Sequence, residues 1–136
     1  MCGIVGIVGK LNACKSALKV LKNLEYRGYD SAGLAFLQKN QLNTIKALGK
    51  LNELSSKFEI LEESIKDVSI AIGHTRWATH GKVILENTHP ILSENIAVVH
   101  NGIIENHDEI RLGLKEKNVV FETTTDTEVI SHLLSN

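Results

Sequence analysis

The chain has 136 residues, with 15 basic and 16 acidic side chains and a formal net charge of −1. That length suits one compact domain over 1–136, and the charge balance excludes both a large basic face for nucleic acid and an acidic tail. Its two cysteines, Cys2 and Cys14, are too few for a disulfide framework and too far apart for a Cys-x-x-Cys pair. The expected setting is a reducing cytoplasm. No charged leader with an apolar segment and cleavage site is recognisable, and the apolar run Ile4 to Val8 is too short to cross a bilayer.

Residues 3–9 read as a buried β-branched strand punctuated by glycines. Cys14, Ala17, Leu18, Leu21 and Leu24 then recur at helical spacing, with lysines on the other faces. Cys14 falls on the apolar stripe, where a free cysteine acts as a small hydrophobe. The segment from Glu25 to Asp30 breaks that pattern. Ser31 to Leu37 and Leu42 to Ala47 predict a hairpin around Lys39-Asn40-Gln41, and Leu51, Leu54, Phe58, Leu61 and Ile65 predict a second amphipathic helix.

Val68 to Gly73 reads as a third strand running into the polar cluster His74 to Gly81, and Ile96 to Val99 as a fourth ending in His100-Asn101-Gly102. Asn106 with Glu109 predicts a capping box that opens a helix to about Lys117. Val119 to Phe121 reads as a short strand. Thr125 with Glu128 repeats the capping signal before Val129, Ile130, Leu133 and Leu134. Together these elements predict one α/β unit with mainly antiparallel pairing.

Chemistry concentrates at the start of the chain and at the strand ends. If the initiator methionine is removed, Cys2 carries both a thiol and an α-amine. Reference pKa values of about 8.5 and about 7.7–8.0 make proton transfer between such groups cost only about 0.7 kcal/mol. One residue could then supply nucleophile and base. Arg76 could hold a carboxylate with paired donors, Asp126 an ammonium group, and the Asn101 amide with the Gly102 N–H a developing oxyanion. Each also has a plainer reading: a surface cation, a helix-start acid and a turn. Trp77 could be a core anchor or a lid, and the sequence favours the core. His74, His80, His89 and His100 come without a His-Glu-x-x-His helix or a cysteine pair, so no metal is expected.

The strings Cys2-Gly3-Ile4-Val5-Gly6, Glu25 to Gly33, Gly73 to Gly81, His100 to Asn106 and Thr125 to Ile130, in that order, resemble the class II glutamine amidotransferases. Within that class the resemblance is to the amino-terminal glutaminase domain of the glutamine–fructose-6-phosphate aminotransferases. It implies an α+β N-terminal nucleophile hydrolase fold, a four-layer αββα sandwich with antiparallel sheets. It also implies that the domain is incomplete at its C-terminus and that the sugar-isomerase domains are absent.

The resemblance further implies that Cys2 attacks the side-chain amide of L-glutamine and that ammonia is released to fructose 6-phosphate, which is met only through the isomerase domains of a homo-oligomeric full-length enzyme. Arg76, Thr79 and His80 are implied at the substrate carboxylate, Asp126 and Gly102 at its ammonium, and Asn101 with Gly102 in the oxyanion hole. Trp77 is implied as a channel gate and Arg27 in a closing loop, with no cofactor, and His89 has no assigned role. Two alternatives remain open. One is an inactive glutamine-binding or assembly module; the other is the glutaminase part of a different class II enzyme such as amidophosphoribosyltransferase.

Overall fold

The computed structural model describes residues 2–9, 11–78 and 82–135. Strand β1 spans Gly3–Val8, β2 Ser31–Gln38, β3 Gln41–Leu48 and β4 Ile70–Arg76. They form one antiparallel sheet in the order β1-β4-β2-β3, so β4 is central and pairs with both β1 and β2. Helix α1 (Ala13–Leu24) lies on β1 and β4, and α2 (Leu51–Leu61) on β3. The stripe that predicts α1 is the face that enters the core, where Cys14, Ala17, Leu18 and Leu21 meet Val5, Leu34 and Ala71. Burial pushes the Cys14 thiol up to about 12, so it remains an inert packing group.

The hairpin turns on Lys39 and Asn40, both in the left-handed region at φ 50° and 62°. This two-residue geometry matches the right-handed twist of the flanking strands. The opposite face of the sheet presents Ile4, Val8 and Ile70, all exposed.

A second, two-stranded antiparallel ladder pairs β5 (Ile91–Ser93) with β6 (Ile96–Val98), and α4 (Glu128–Ser135) packs on it, with α3 (His107–Glu116) alongside. The antiparallel α and β organisation expected from the sequence is therefore present.

Four local expectations need correction. The third strand does not stop at Gly73. His74, Thr75 and Arg76 continue the ladder, because Thr75 pairs with Gly3 and with Ala32, and Arg76 pairs with Ser31. At this end of the strand the second face is also covered, with the His74 ring stacked on that of His89, so these polar side chains are carried inside. Val119 to Phe121 is not a strand. The Val119 N–H instead bonds to the Leu114 carbonyl at 3.1 Å, behind Asn118 in the left-handed region, and so closes the end of α3.

Asn106 makes no side-chain cap hydrogen bond. Its backbone, at φ −95° and ψ 24°, is not extended, whereas a capping side chain needs an extended residue to fold back. The Thr125–Glu128 box is also replaced. Glu128 accepts from the N–H groups of Glu122 and Thr123 at 2.7 and 2.8 Å and from the Thr123 hydroxyl at 2.7 Å, further upstream than a capping box reaches.

Candidate functional site

Because β1 pairs with β4, the residue before β1 comes to rest beside the residue after β4. Cys2, half-buried, accepts a hydrogen bond at Sγ from the Trp77 N–H at 3.4 Å, and the Trp77 carbonyl lies 3.7 Å from the same sulfur. Gly3 N–H donates to the Thr75 hydroxyl at 3.2 Å, which fixes the backbone directly after the thiol. Two further donors converge on the Cys2 carbonyl: Arg27 Nε at 3.1 Å and Asn101 Nδ2 at 3.3 Å. Residues far apart in the chain thus hold the Cys2–Gly3 peptide in place.

Behind them the loop from Arg27 to Asp30 braces the end of β4. Gly28 presses on the Arg76 backbone so closely that a Cβ there would lie 2.6 Å from the Arg76 carbonyl carbon. Asp30 receives the Ala78 N–H at 2.6 Å, and its own N–H donates to the Arg76 carbonyl at 3.1 Å. Tyr29 meets Trp77 edge to face, with ring centroids 5.2 Å apart.

Trp77 is 43% exposed, which overturns the core role that the sequence favours. The strand pairing ends at Arg76, and the indole is left at the surface beside the thiol. Arg76 itself is buried, and one guanidinium nitrogen donates to the Lys82 carbonyl at 3.3 Å. Loss of water pulls its pKa down, opposed by the nearby Cys2, Asp30 and Asp126; a guanidinium remains charged under such opposition.

Across the site Asp126 is buried, and its Oδ2 accepts from the Ile104 N–H at 2.8 Å. It therefore ties the segment after Asn101-Gly102 to the start of α4, a long-range contact in place of a simple helix cap. One cavity of about 240 Å³ is lined by Cys2, Arg76, Trp77, Asn101, Gly102 and Asp126, together with His74, His89, His100, Ile103, Thr125 and Thr127. A thiol, a guanidinium, a carboxylate and amide donors share one space.

The expected residues Cys2, Arg76, Trp77, Asn101, Gly102 and Asp126 are thus brought together, and Arg27 reaches the same peptide. Thr79, His80 and Met1 lie outside the described residues. Sequence reasoning missed Thr75, Asp30, His100 and Thr127. All four lie inside the strings Glu25 to Gly33, Gly73 to Gly81, His100 to Asn106 and Thr125 to Ile130, but their residue types alone suggest no part in the chemistry. Among the described residues no group of three or more His, Cys, Asp or Glu side chains is arranged to hold a metal, and no helix is long and apolar enough to cross a membrane.

Comparison with known proteins gives this geometry a relationship. Residues 55–136 match the family model described as a glutamine amidotransferase domain. The glutamine–fructose-6-phosphate aminotransferase (isomerizing) of Bartonella quintana is 50% identical over 135 residues, and that of Buchnera aphidicola 52% over 138 residues. These alignments cover 99% and 98% of this chain but 22% of each relative, so the chain spans about a fifth of their length.

Among solved structures, the B. subtilis glutamine phosphoribosylpyrophosphate amidotransferase superimposes with a TM-score of 0.80 at 30% identity. A structure described as the allosteric regulatory enzyme of purine biosynthesis gives 0.83 at 32%. Each comparison covers the whole of this chain and 29% and 30% of the other, respectively. The chain belongs to the glutamine amidotransferase domain family.

Proposed function

We propose that the chain is the catalytic part of a glutaminase that uses the Cys2 thiol as nucleophile, within an N-terminal nucleophile hydrolase fold of four αββα layers. The observation that carries this reading is the single cavity shared by Cys2, Arg76, Asn101, Gly102 and Asp126. Free glutamine is a zwitterion with an amide side chain, and it needs a cation for its carboxylate, an anion for its ammonium and a nucleophile at the amide carbon. Arg76 and Asp126 meet the first two needs, with Thr79 and His80 assigned to the carboxylate end and Gly102 to the ammonium end. Cys2 meets the third.

With Met1 removed, the α-amine of Cys2 takes the thiol proton as sulfur bonds to the amide carbon, and the charge on the amide oxygen is met by Asn101 and Gly102. Asn101 uses one amide N–H on the Cys2 carbonyl, and a carboxamide carries two. The proton then passes to the departing nitrogen, the carbon–nitrogen bond breaks and ammonia leaves a γ-glutamyl thioester. Water cleaves the thioester to glutamate and restores the thiol. In the longer protein the ammonia passes, gated by Trp77 with Arg27 in the closing loop, to fructose 6-phosphate held by sugar-isomerase domains in a cytoplasmic homo-oligomer. The identity of about 50% to the aminotransferases, against 30% and 32% to the two structures, favours this acceptor over phosphoribosylpyrophosphate.

Glutamate release from glutamine, measured beside the intact mass of the same sample, tests the reading. Turnover by protein lacking Met1 and none by protein retaining it is expected. Processed protein that binds glutamine saturably without turnover would favour a binding module instead.

A further inference from the structure

The chemistry above gives His89 no task, yet His89 is buried in the wall of the same cavity. Its ring stacks on that of His74, with centroids 4.4 Å apart and planes 29° apart. Nδ1 of His89 lies 3.3 Å from the backbone N–H of His100. A backbone N–H can only donate, so this nitrogen bears the lone pair and Nε2 the proton. Nε2 of His74 lies 3.2 Å from the His100 carbonyl, which can only accept, so that nitrogen carries its proton. Burial supports the neutral form of both rings, pulling His74 down to about 4 and His89 to about 2.

We propose that His89 and His74 are positioning residues which clamp the two main-chain polar groups of His100 and so set the Asn101–Gly102 turn against Cys2. This deepens the glutaminase reading and rests on it. His100 is held at a third point, because its Nδ1 lies 3.2 Å from the Thr127 hydroxyl. A Cβ at Gly102 would lie 2.8 Å from the other ring nitrogen of His100, so the ring underlies the turn and a side chain there would displace it. Thr127 adjoins Asp126, which receives the Ile104 N–H. The orientation of His100 therefore couples the amide-donor side of the cavity to its carboxylate side. The clamp is anchored in the main sheet. His74 pairs with Gly33 of β2, and a Cβ at Gly33 would sit 2.2 Å from the His89 carbonyl.

Donors that meet a developing charge must be placed closely, and a misplacement of about 1 Å can cost on the order of 100-fold in rate. His89→Phe keeps a ring against His74 but leaves the His100 N–H without an acceptor. The expected result is a fall in kcat for glutamine hydrolysis of about tenfold or more, with alkylation of Cys2 by iodoacetamide within roughly twofold of the unsubstituted chain. His89→Asn returns an oxygen near the Nδ1 position and should recover kcat to within roughly threefold. Full activity in His89→Phe, or a loss in His89→Asn as deep as in His89→Phe, would overturn the clamp.

A readout that needs neither turnover nor a folded variant is the ¹⁵N NMR spectrum of the ring nitrogens in the unsubstituted chain. Both histidines should be neutral with the proton on Nε2, and an Nδ1-protonated or charged His89 near neutral pH would overturn the proposal. The expected tautomers in a chain that hydrolyses no glutamine would support the clamp while counting against the glutaminase reading.

Discussion

Acidification should destabilise this fold well before its carboxylates titrate. His74 and His89 lie side by side in the interior, and desolvation lowers both from an unfolded value of 6.5, to about 4 and about 2. Electrostatic repulsion from Arg76 and His100 works in the same direction on both, and His74 and Lys46 act likewise on His89. A folded pKa below the unfolded one means that the unfolded chain binds more protons across the intervening window. The stability contribution is thus complete above 6.5 and is lost as the pH falls below it.

At about pH 5 the unfolded chain gains roughly 1.5 units times 1.36 kcal/mol, or about 2 kcal/mol, for each histidine that must stay neutral when folded. The pair therefore costs about 4 kcal/mol, a large part of the 5–15 kcal/mol typical of a folded domain. Urea unfolding near neutrality and near pH 5 measures it. With a slope of about 2 kcal/mol per molar, the midpoint should drop by roughly 2 M, and His89→Asn should show about half that drop. An equal or higher midpoint in acid would mean that the two rings are not held neutral in the folded chain.

Other perturbations read different parts of the site. Gly28→Ala would drive a methyl into the Arg76 and Trp77 backbone, with little freedom to yield. It should cost about 1–3 kcal/mol of stability by urea titration, and a neutral result would mean that the loop does not brace β4. Glu128→Gln turns one of two accepting oxygens into a donor facing an N–H, and should cost about 3 kcal/mol. A loss below about 1 kcal/mol would show that the 122–125 loop is held by other contacts. Arg76→Lys replaces a planar fork by a point charge and should raise the apparent KM for glutamine. An unchanged KM would assign the substrate carboxylate elsewhere.

Much of this architecture is written locally. The stripe Cys14, Ala17, Leu18 and Leu21 specifies α1 because the helical period alone sorts its faces, and Lys39-Asn40 specifies a hairpin because both residues tolerate the left-handed region. The polar end of β4 was illegible for the opposite reason. His74, Thr75 and Arg76 resemble a loop until β1 and β2 close on both sides. Strand β5 is three residues long and carries too little periodicity to be read.

The same division holds for the site. Cys2, Arg76, Asn101 and Asp126 could be named from their chemical types, but the sequence could not show Asn101 and Arg27 meeting on the Cys2 carbonyl. Nor could it reveal Glu128 reaching back to the 122–123 peptides, because such contacts depend on tertiary closure. Size favours a core place for Trp77, but the ladder ends at Arg76 and leaves the indole at the surface against Tyr29.

The proposed reaction rests on the Cys2 thiol, in a cavity that binds glutamine through other residues. Cys2→Ala in protein lacking Met1 tests it most directly, with glutamate release and glutamine binding measured on the same sample. Hydrolysis should disappear while binding persists. Hydrolysis continuing undiminished would contradict it.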